Sequence, residues 1–265
     1  MKKIFYIFAA ALLGFGAASC SKVPAEGHIT VHFTVGTGDC DFTKAVADGS
    51  SVTQMLVGVY AEDGTSIDGL GKVVTRDASA GFNFDLQLVE TLTYKVVLFA
   101  QSADRYLNSG SWTSADLKAI DLTGFGFDSE ADDAFTASLV VNPSESSSIA
   151  VSLARPWAQV NVATSASLDG ITKARFEFPG VPAALNALTG EVSGSQDIVL
   201  EGAPAGGTYA GDYILVGYAY VPARAVAATI TATVKLGDDS GWPRTKTVEN
   251  LPLQSNRRTN ILGEI

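Results

Sequence analysis

Cysteine, histidine and methionine are almost absent from this chain of 265 residues, at two each. The two cysteines, Cys20 and Cys40, could form at most one bridge, so no disulfide framework holds the fold. The two histidines, His28 and His32, lie four residues apart on one segment with alternating polarity, about 13 Å apart if it is a strand. That separation excludes a shared metal and leaves no imidazole to face a distant nucleophile, so a triad hydrolase is excluded too. No C-x-x-C, H-E-x-x-H or G-x-S-x-G occurs. The glycine pairs around Gly124–Gly126 and at Gly206-Gly207 do not open a helix, as a phosphate-binding loop must.

Charge is scarce as well, at 17% of residues, and it is unbalanced: 18 Lys and Arg against 28 Asp and Glu give a net charge of −10. A field of that sign repels phosphates and disfavours nucleic acid as a partner. No apolar run reaches the roughly 20 residues that span a bilayer as a helix. The run from Ile4 to Gly16, preceded by Lys2 and Lys3 and followed by Ala17-Ala18-Ser19, instead has the three parts of a secretion signal. Cleavage is expected after residue 19. Cys20 would then be the first residue of the mature protein, its thiol carrying diacylglycerol and the new amino terminus an acyl chain such as palmitate. Cys40 would be left without an intrachain partner.

What is present in abundance is β pattern. Ile29, Val31, Phe33 and Val35 alternate with His28, Thr30, His32 and Thr34, and Phe82, Phe84, Leu86 and Leu88 alternate with Asn83, Asp85 and Gln87. Ile230, Ala232, Val234 and Leu236 do the same against Thr229, Thr231, Thr233 and Lys235. Two runs, Tyr94–Ala100 and Tyr213–Val221, are apolar on both faces and read as strands central to a sandwich. Glycine- and aspartate-rich turns separate them. Helical signal is confined to Ser114–Ile120, with Thr113 or Ser114 as the N-cap. Two halves repeat the same order: Ile29–Val35, Leu56–Ala61 and Tyr94–Ala100 match Gln159–Ala163, Lys173–Phe178 and Tyr213–Val221. The expected fold class is all-β, two immunoglobulin-like β-sandwich domains in series. Their expected bounds are 20–148 and 149–265, with the Ser-rich stretch Asn142–Ser148 as the joint.

Further candidate sites are few. Asp128, Glu130, Asp132 and Asp133 read as a solvated acidic turn rather than a calcium loop, since the EF-hand spacing is missing. Trp157 reads as core or interdomain packing. Trp112 and Trp242 lie beside glycine or proline in expected loops and are the candidate ligand contacts for a sugar ring. Neither a cofactor nor a catalytic residue is expected.

The stretch Leu153-Ala154-Arg155-Pro156-Trp157-Ala158-Gln159-Val160-Asn161-Val162 resembles the strand that opens the second domain of the fimbrillin-like lipoproteins of Bacteroidetes. Leu185-Asn186-Ala187-Leu188-Thr189-Gly190-Glu191-Val192, Asp133-Ala134-Phe135 and Leu251–Ile261 resemble further pieces of that family, in the same order. The resemblance implies two transthyretin-like β-sandwich domains in an outer-membrane, lipid-anchored protein at the cell surface or in a fimbrium, with other fimbrial subunits as partners. It also implies cleavage after a basic residue behind the first strand, here between Lys44 and Ala45, and subunit joining by a donated strand. The candidate donor is the carboxy-terminal segment with Asn260, Ile261 and Ile265. Lys44 stands where the family usually has arginine. The alternative is a monomeric surface lipoprotein that captures glycan or host protein through the loops around Trp112 or Trp242.

Overall fold

The computed structural model of the protein describes residues 27–37 and 49–265. The expected signal 1–19, Cys20, Cys40, Lys44 and Ala45 lie outside the described residues. The first part of the chain forms β1 (His28–Thr37), β2 (Gln54–Ala61), β3 (Lys72–Thr75), β4 (Phe82–Val89), β5 (Tyr94–Gln101), β6 (Ile120–Asp121), β7 (Ala134–Val141) and β8 (Ser148–Leu153). The rest forms β9 (Trp157–Thr164), β10 (Lys173–Val181), β11 (Ala184–Asn186), β12 (Glu191–Ser193), β13 (Gln196–Gly202), β14 (Ile214–Pro222), β15 (Ala228–Asp238), β16 (Gly241–Leu253) and β17 (Arg258–Gly263).

The alternating segments fold as their period dictates. β1 pairs antiparallel with β4 in a register that sets Val31 opposite Leu86, Phe33 opposite Phe84 and Val35 opposite Phe82, all buried. The Phe33 and Phe84 rings stack with centroids 4.6 Å apart. On the other face, in solvent, Gln87 donates to Thr30 Oγ1 at 2.6 Å and His32 Nδ1 meets Asp85 Oδ1 at 2.6 Å. A one-residue slip would exchange these two faces, so the pattern itself fixes the register.

The molecule is two β-sandwiches in series, built on one connectivity used twice. In the first, β3-β2-β5-β7 form one sheet and β4-β1-β8 the other; in the second, β13-β10-β15-β16 and β14-β9-β17 do so in the same order. Even the strand directions match. Each sandwich's first strand is central in its three-stranded sheet, antiparallel to one neighbour and parallel to the last strand of its half. The repeat therefore equates β5 with β15, and β14 with β4. This corrects the expected match of Tyr94–Ala100 to Tyr213–Val221. β14 is apolar on both faces because its outer face is covered, whereas the outer face of β4 is in water.

β8 begins at the expected division, at Ser148. The segment Ser148–Leu153 pairs in parallel with β1, from His32 opposite Ser148 to Thr37 opposite Leu153. Leu153 is buried in the first sandwich's core, with Ile149 and Val151 packed against it. The Ser-rich stretch is thus a turn between β7 and β8, closed by the Glu145 N–H donating to Asn142 O at 3.0 Å. Arg155-Pro156 then leads into β9 at Trp157.

β2 and β5 are buried on both faces because they divide their side chains between two cores. Met55, Val57, Val59, Val96, Leu98 and Ala100 face β1 and β4. Leu56, Tyr60, Val97 and Phe99 belong to a second cluster that continues through Leu117, Phe127 and Trp157 into the second sandwich. The segment 102–133 fills the space between them. The helix expected at Ser114–Ile120 shrinks there to a single 3-10 turn, Asp116–Lys118, pinned by buried Leu117. One turn gains too few hydrogen bonds to grow without packing along its length.

Candidate functional site

Three of the sequence stretches that carry the family resemblance meet at the seam between the sandwiches. Pro156 follows directly after Arg155, where the chain leaves the first sandwich, and Arg155 is 2% exposed. Its guanidinium makes a bidentate pair with Asp133, Nε to Oδ1 at 2.5 Å and Nη2 to Oδ2 at 2.6 Å. It also lies over the rings of Phe135, at 4.9 Å, and Tyr220, at 5.5 Å. The Arg155 N–H donates to Asn256 Oδ1 at 3.1 Å, and the Asn256 N–H donates to Trp157 O at 2.9 Å. Asn256 has φ of 56°, a left-handed position that asparagine tolerates better than most residues.

Trp157 is fully buried, with its ring 5.6 Å from Tyr106 and 5.8 Å from Phe127. Core or interdomain packing was the expected role for it. Burial pushes the Asp133 carboxyl above its ordinary range, although the hydrogen bonds and charge of Arg155 pull it down. The phenols of Tyr106 and Tyr220 are raised by burial and by the nearby aspartates.

Only half of the acidic segment is solvated, at exposed Asp128 and Glu130. Asp132 and Asp133 are buried, the second against Arg155 and the first with its Oδ1 2.5 Å from Arg105 Nε. A capping box at Ser129 holds them: Ser129 Oγ accepts from the Ala131 N–H, and the Asp132 side chain accepts from the Ser129 N–H. Sequence spacing missed this because the two arginines lie 27 and 22 residues from their aspartates. Among the described residues no group of His, Cys, Asp and Glu could hold a metal ion.

The candidate donor segment is occupied within its own sandwich. β17 pairs with β9 along its length, Ile261 and Ile265 are buried in the second core, and Asn260 Oδ1 accepts from Asn161 Nδ2 at 3.1 Å and from the Tyr209 hydroxyl at 2.8 Å. The candidate ligand contacts separate. Trp242 is the second residue of edge strand β16, half-buried, rather than in a loop. Trp112 is half-buried in the 102–133 segment and lines a surface cavity of about 380 Å³ with Asp68, Gly71, Lys72, Thr113 and Ser114. A larger cavity, about 620 Å³, opens between the β11–β12 hairpin and Arg224–Val226, with Lys118 at its wall. No aromatic side chain lines it, and Lys118 is already committed to Gly64 O and the Tyr60 ring.

No curated protein matches the chain in sequence. Among solved structures it is similar to a fimbrial assembly protein from Parabacteroides distasonis, with a TM-score of 0.53 and 14% identity over 90% of this chain and 92% of that one. A candidate cell adhesion protein from Bacteroides uniformis gives 0.53 and 14%, over 89% and 94% of the two chains. A candidate polysaccharide-binding protein from Bacteroides thetaiotaomicron gives 0.53 and 13%, over 84% and 80%. At such identities the likeness is one of fold. Residues 22–265 match the family of unknown function DUF6562, and the chain belongs to that family.

Proposed function

We propose that this chain is an exported, lipid-anchored structural or adhesive protein of the outer-membrane surface, similar to the fimbrillins and able to accept a neighbour's strand. The observation that carries the reading is the position of β1. It is the middle strand of β4-β1-β8, its inner face is buried, and the segment 38–48, with Lys44, follows it directly. Loss of β1 after cleavage at Lys44-Ala45 would leave two strands unpaired and a groove shaped for Val31, Phe33 and Val35. Those three side chains contribute about 5 to 9 kcal/mol, which rivals the whole stability of a domain, about 5 to 15 kcal/mol. An extended segment of another subunit, added as a strand, would fill that groove. The fold shared with a fimbrial assembly protein supports this.

β17 is a poor donor, since withdrawing it would expose Ile261 and Ile265 and break the Asn161–Asn260 contact. We therefore place the chain as an acceptor, in a terminal or accessory position. The signal 1–19 and an acylated Cys20 would anchor it until cleavage at Lys44 releases Cys20 together with β1, and two domains would follow, the first taking in β8 and the second starting at β9.

Trypsin treatment of the purified full chain, mixed with a peptide of the β1 sequence His28–Thr37, tests the acceptor role. Cleavage at Lys44 should release β1 and let labelled peptide enter an SDS-resistant complex, and Lys44→Ala should abolish this. A cleaved chain that loses β1 and takes up no strand would end the reading. A second reading, a monomeric lipoprotein that binds glycan or host protein, is favoured by the cavity at Trp112.

A further inference from the structure

We infer that the cavity at Trp112 is a binding subsite for a neutral pyranose ring of an oligosaccharide. The inference rests on the second reading above and gives it a location and a ligand class. A pyranose offers an apolar face of C–H groups bordered by hydroxyls, and it is held where an aromatic surface adjoins fixed hydrogen-bonding groups in a pocket that sheds water. The Trp112 cavity has these parts. Its volume of about 380 Å³ lies in the range of small-ligand pockets, about 300 to 1,000 Å³. The indole packs against the seam's hydrophobic cluster while remaining half-exposed to the cavity. Exposed Asp68 and half-buried Lys72 line the same cavity. Their opposite charges leave its rim without net charge, which suits hydroxyls better than a charged ligand.

The walls are built before any ligand arrives, which reduces the ordering cost of binding. Backbone bonds from the Trp112 and Ser111 N–H groups to Asn108 O, at 2.9 and 3.1 Å, hold the chain on one side of the indole. On the other side the Thr113 N–H and Oγ1 both donate to Asp116 Oδ2, at 2.6 and 2.9 Å. Lys72 Nζ is tethered to Asp85 O, which fixes the direction of its stem. Asp68 stands in the turn Asp68-Gly69-Leu70, where Gly69 takes a φ of +86° that other residues resist. Gly71 keeps the space open. A Cβ there would lie 3.2 Å from Ser114 Oγ, 3.3 Å from Val57 O and 3.4 Å from Trp112 Cη2, inside the cavity's own wall.

Saturation-transfer NMR on the full chain, with the methyl glycosides of glucose, galactose, mannose and N-acetylglucosamine as probes, tests the assignment. At least one should receive saturation, with a dissociation constant in the millimolar range expected of a single ring. Trp112→Ala, Asp68→Ala and Gly71→Val should each weaken that binding at least tenfold, Trp112→Phe should weaken it less, and Trp242→Ala should leave it unchanged. The Asp68 and Gly71 variants carry the test if Trp112→Ala does not fold, as judged by dichroism. Sugar binding that survives all three cavity variants would overturn this site while leaving a glycan-binding function elsewhere on the protein. No saturation transfer to any of the four sugars would overturn the site and the glycan reading together.

Discussion

Arg155 and Asp133 show how a buried charge is tolerated and what it costs. Each is almost wholly removed from water, so each depends on the other for solvation. Arg155→Ala should destabilise the protein by about 3 to 5 kcal/mol, because Asp133 is then left charged and alone. The double change Arg155→Met with Asp133→Leu should cost less than Arg155→Ala alone, and urea denaturation measures the difference. The tyrosines make a pH prediction. Tyr60 is pushed up to about 12, first by burial and then by Asp116, and Tyr218 is pushed up to about 12 by burial and the acids at 128–133. A folded value above the ordinary one of about 10 means that their stability contribution is complete below that pH and is lost on passing from about 10 to about 12. Absorbance at 295 nm should show Tyr60 and Tyr218 ionising well above the ordinary value, and Tyr106 and Tyr220 only as the protein unfolds. Ionisation of these four phenols near 10 in the folded protein would contradict this. None of it was legible in the sequence, which shows that Arg155 and Asp133 exist but not that a 22-residue separation closes to a bidentate contact.

At the scale of the element, alternation was the dependable signal. β1, β4 and β15 could be read with their inner faces because one side of each is in water. The period fails where both sides are buried, and that is why β14 was matched to β5 rather than β4. The difference between the faces of β1 is measurable. Phe33→Ala should cost about 3 to 5 kcal/mol, as for other large core aromatics. His32→Ala should cost no more than about 1 kcal/mol, because its pair with Asp85 is exposed and screened. Equal losses at the two positions, by chemical denaturation, would mean that β1 is not seated as described. Of the segment 102–133, only the turn at Asp116–Lys118 was foreshadowed, by the helical signal at Ser114–Ile120. Its turns take their shape from Leu117 and Phe127 packing on distant strands, and no local pattern encodes that.

Across the whole molecule, one hydrophobic cluster joins the two sandwiches. Leu56, Tyr60, Val97 and Phe99 of the first sandwich share it with Trp157, Val160, Ala219 and Tyr220 of the second. A single cooperative unfolding transition is therefore expected by calorimetry, with equal calorimetric and van't Hoff enthalpies. Two separated transitions would mean that the seam contributes little. Two sandwiches in series were legible because each half has its own alternating strands, whereas the shared core was foreshadowed only by Trp157.

The parallel pairing of each first strand with the last strand of its half also constrains how the chain acquires its shape. β1 waits for β8, and β9 waits for β17, whose Asn260 meets Asn161 across 99 residues. Neither three-stranded sheet can be completed by zipping outward from hairpins, so the entropy of closing a long loop comes due before the pairing that offsets it. Folding dominated by such distant contacts falls in the milliseconds-to-seconds range rather than microseconds. Throughout that interval β1 is an apolar strand without a sheet, already presented to whatever extended partner reaches it first.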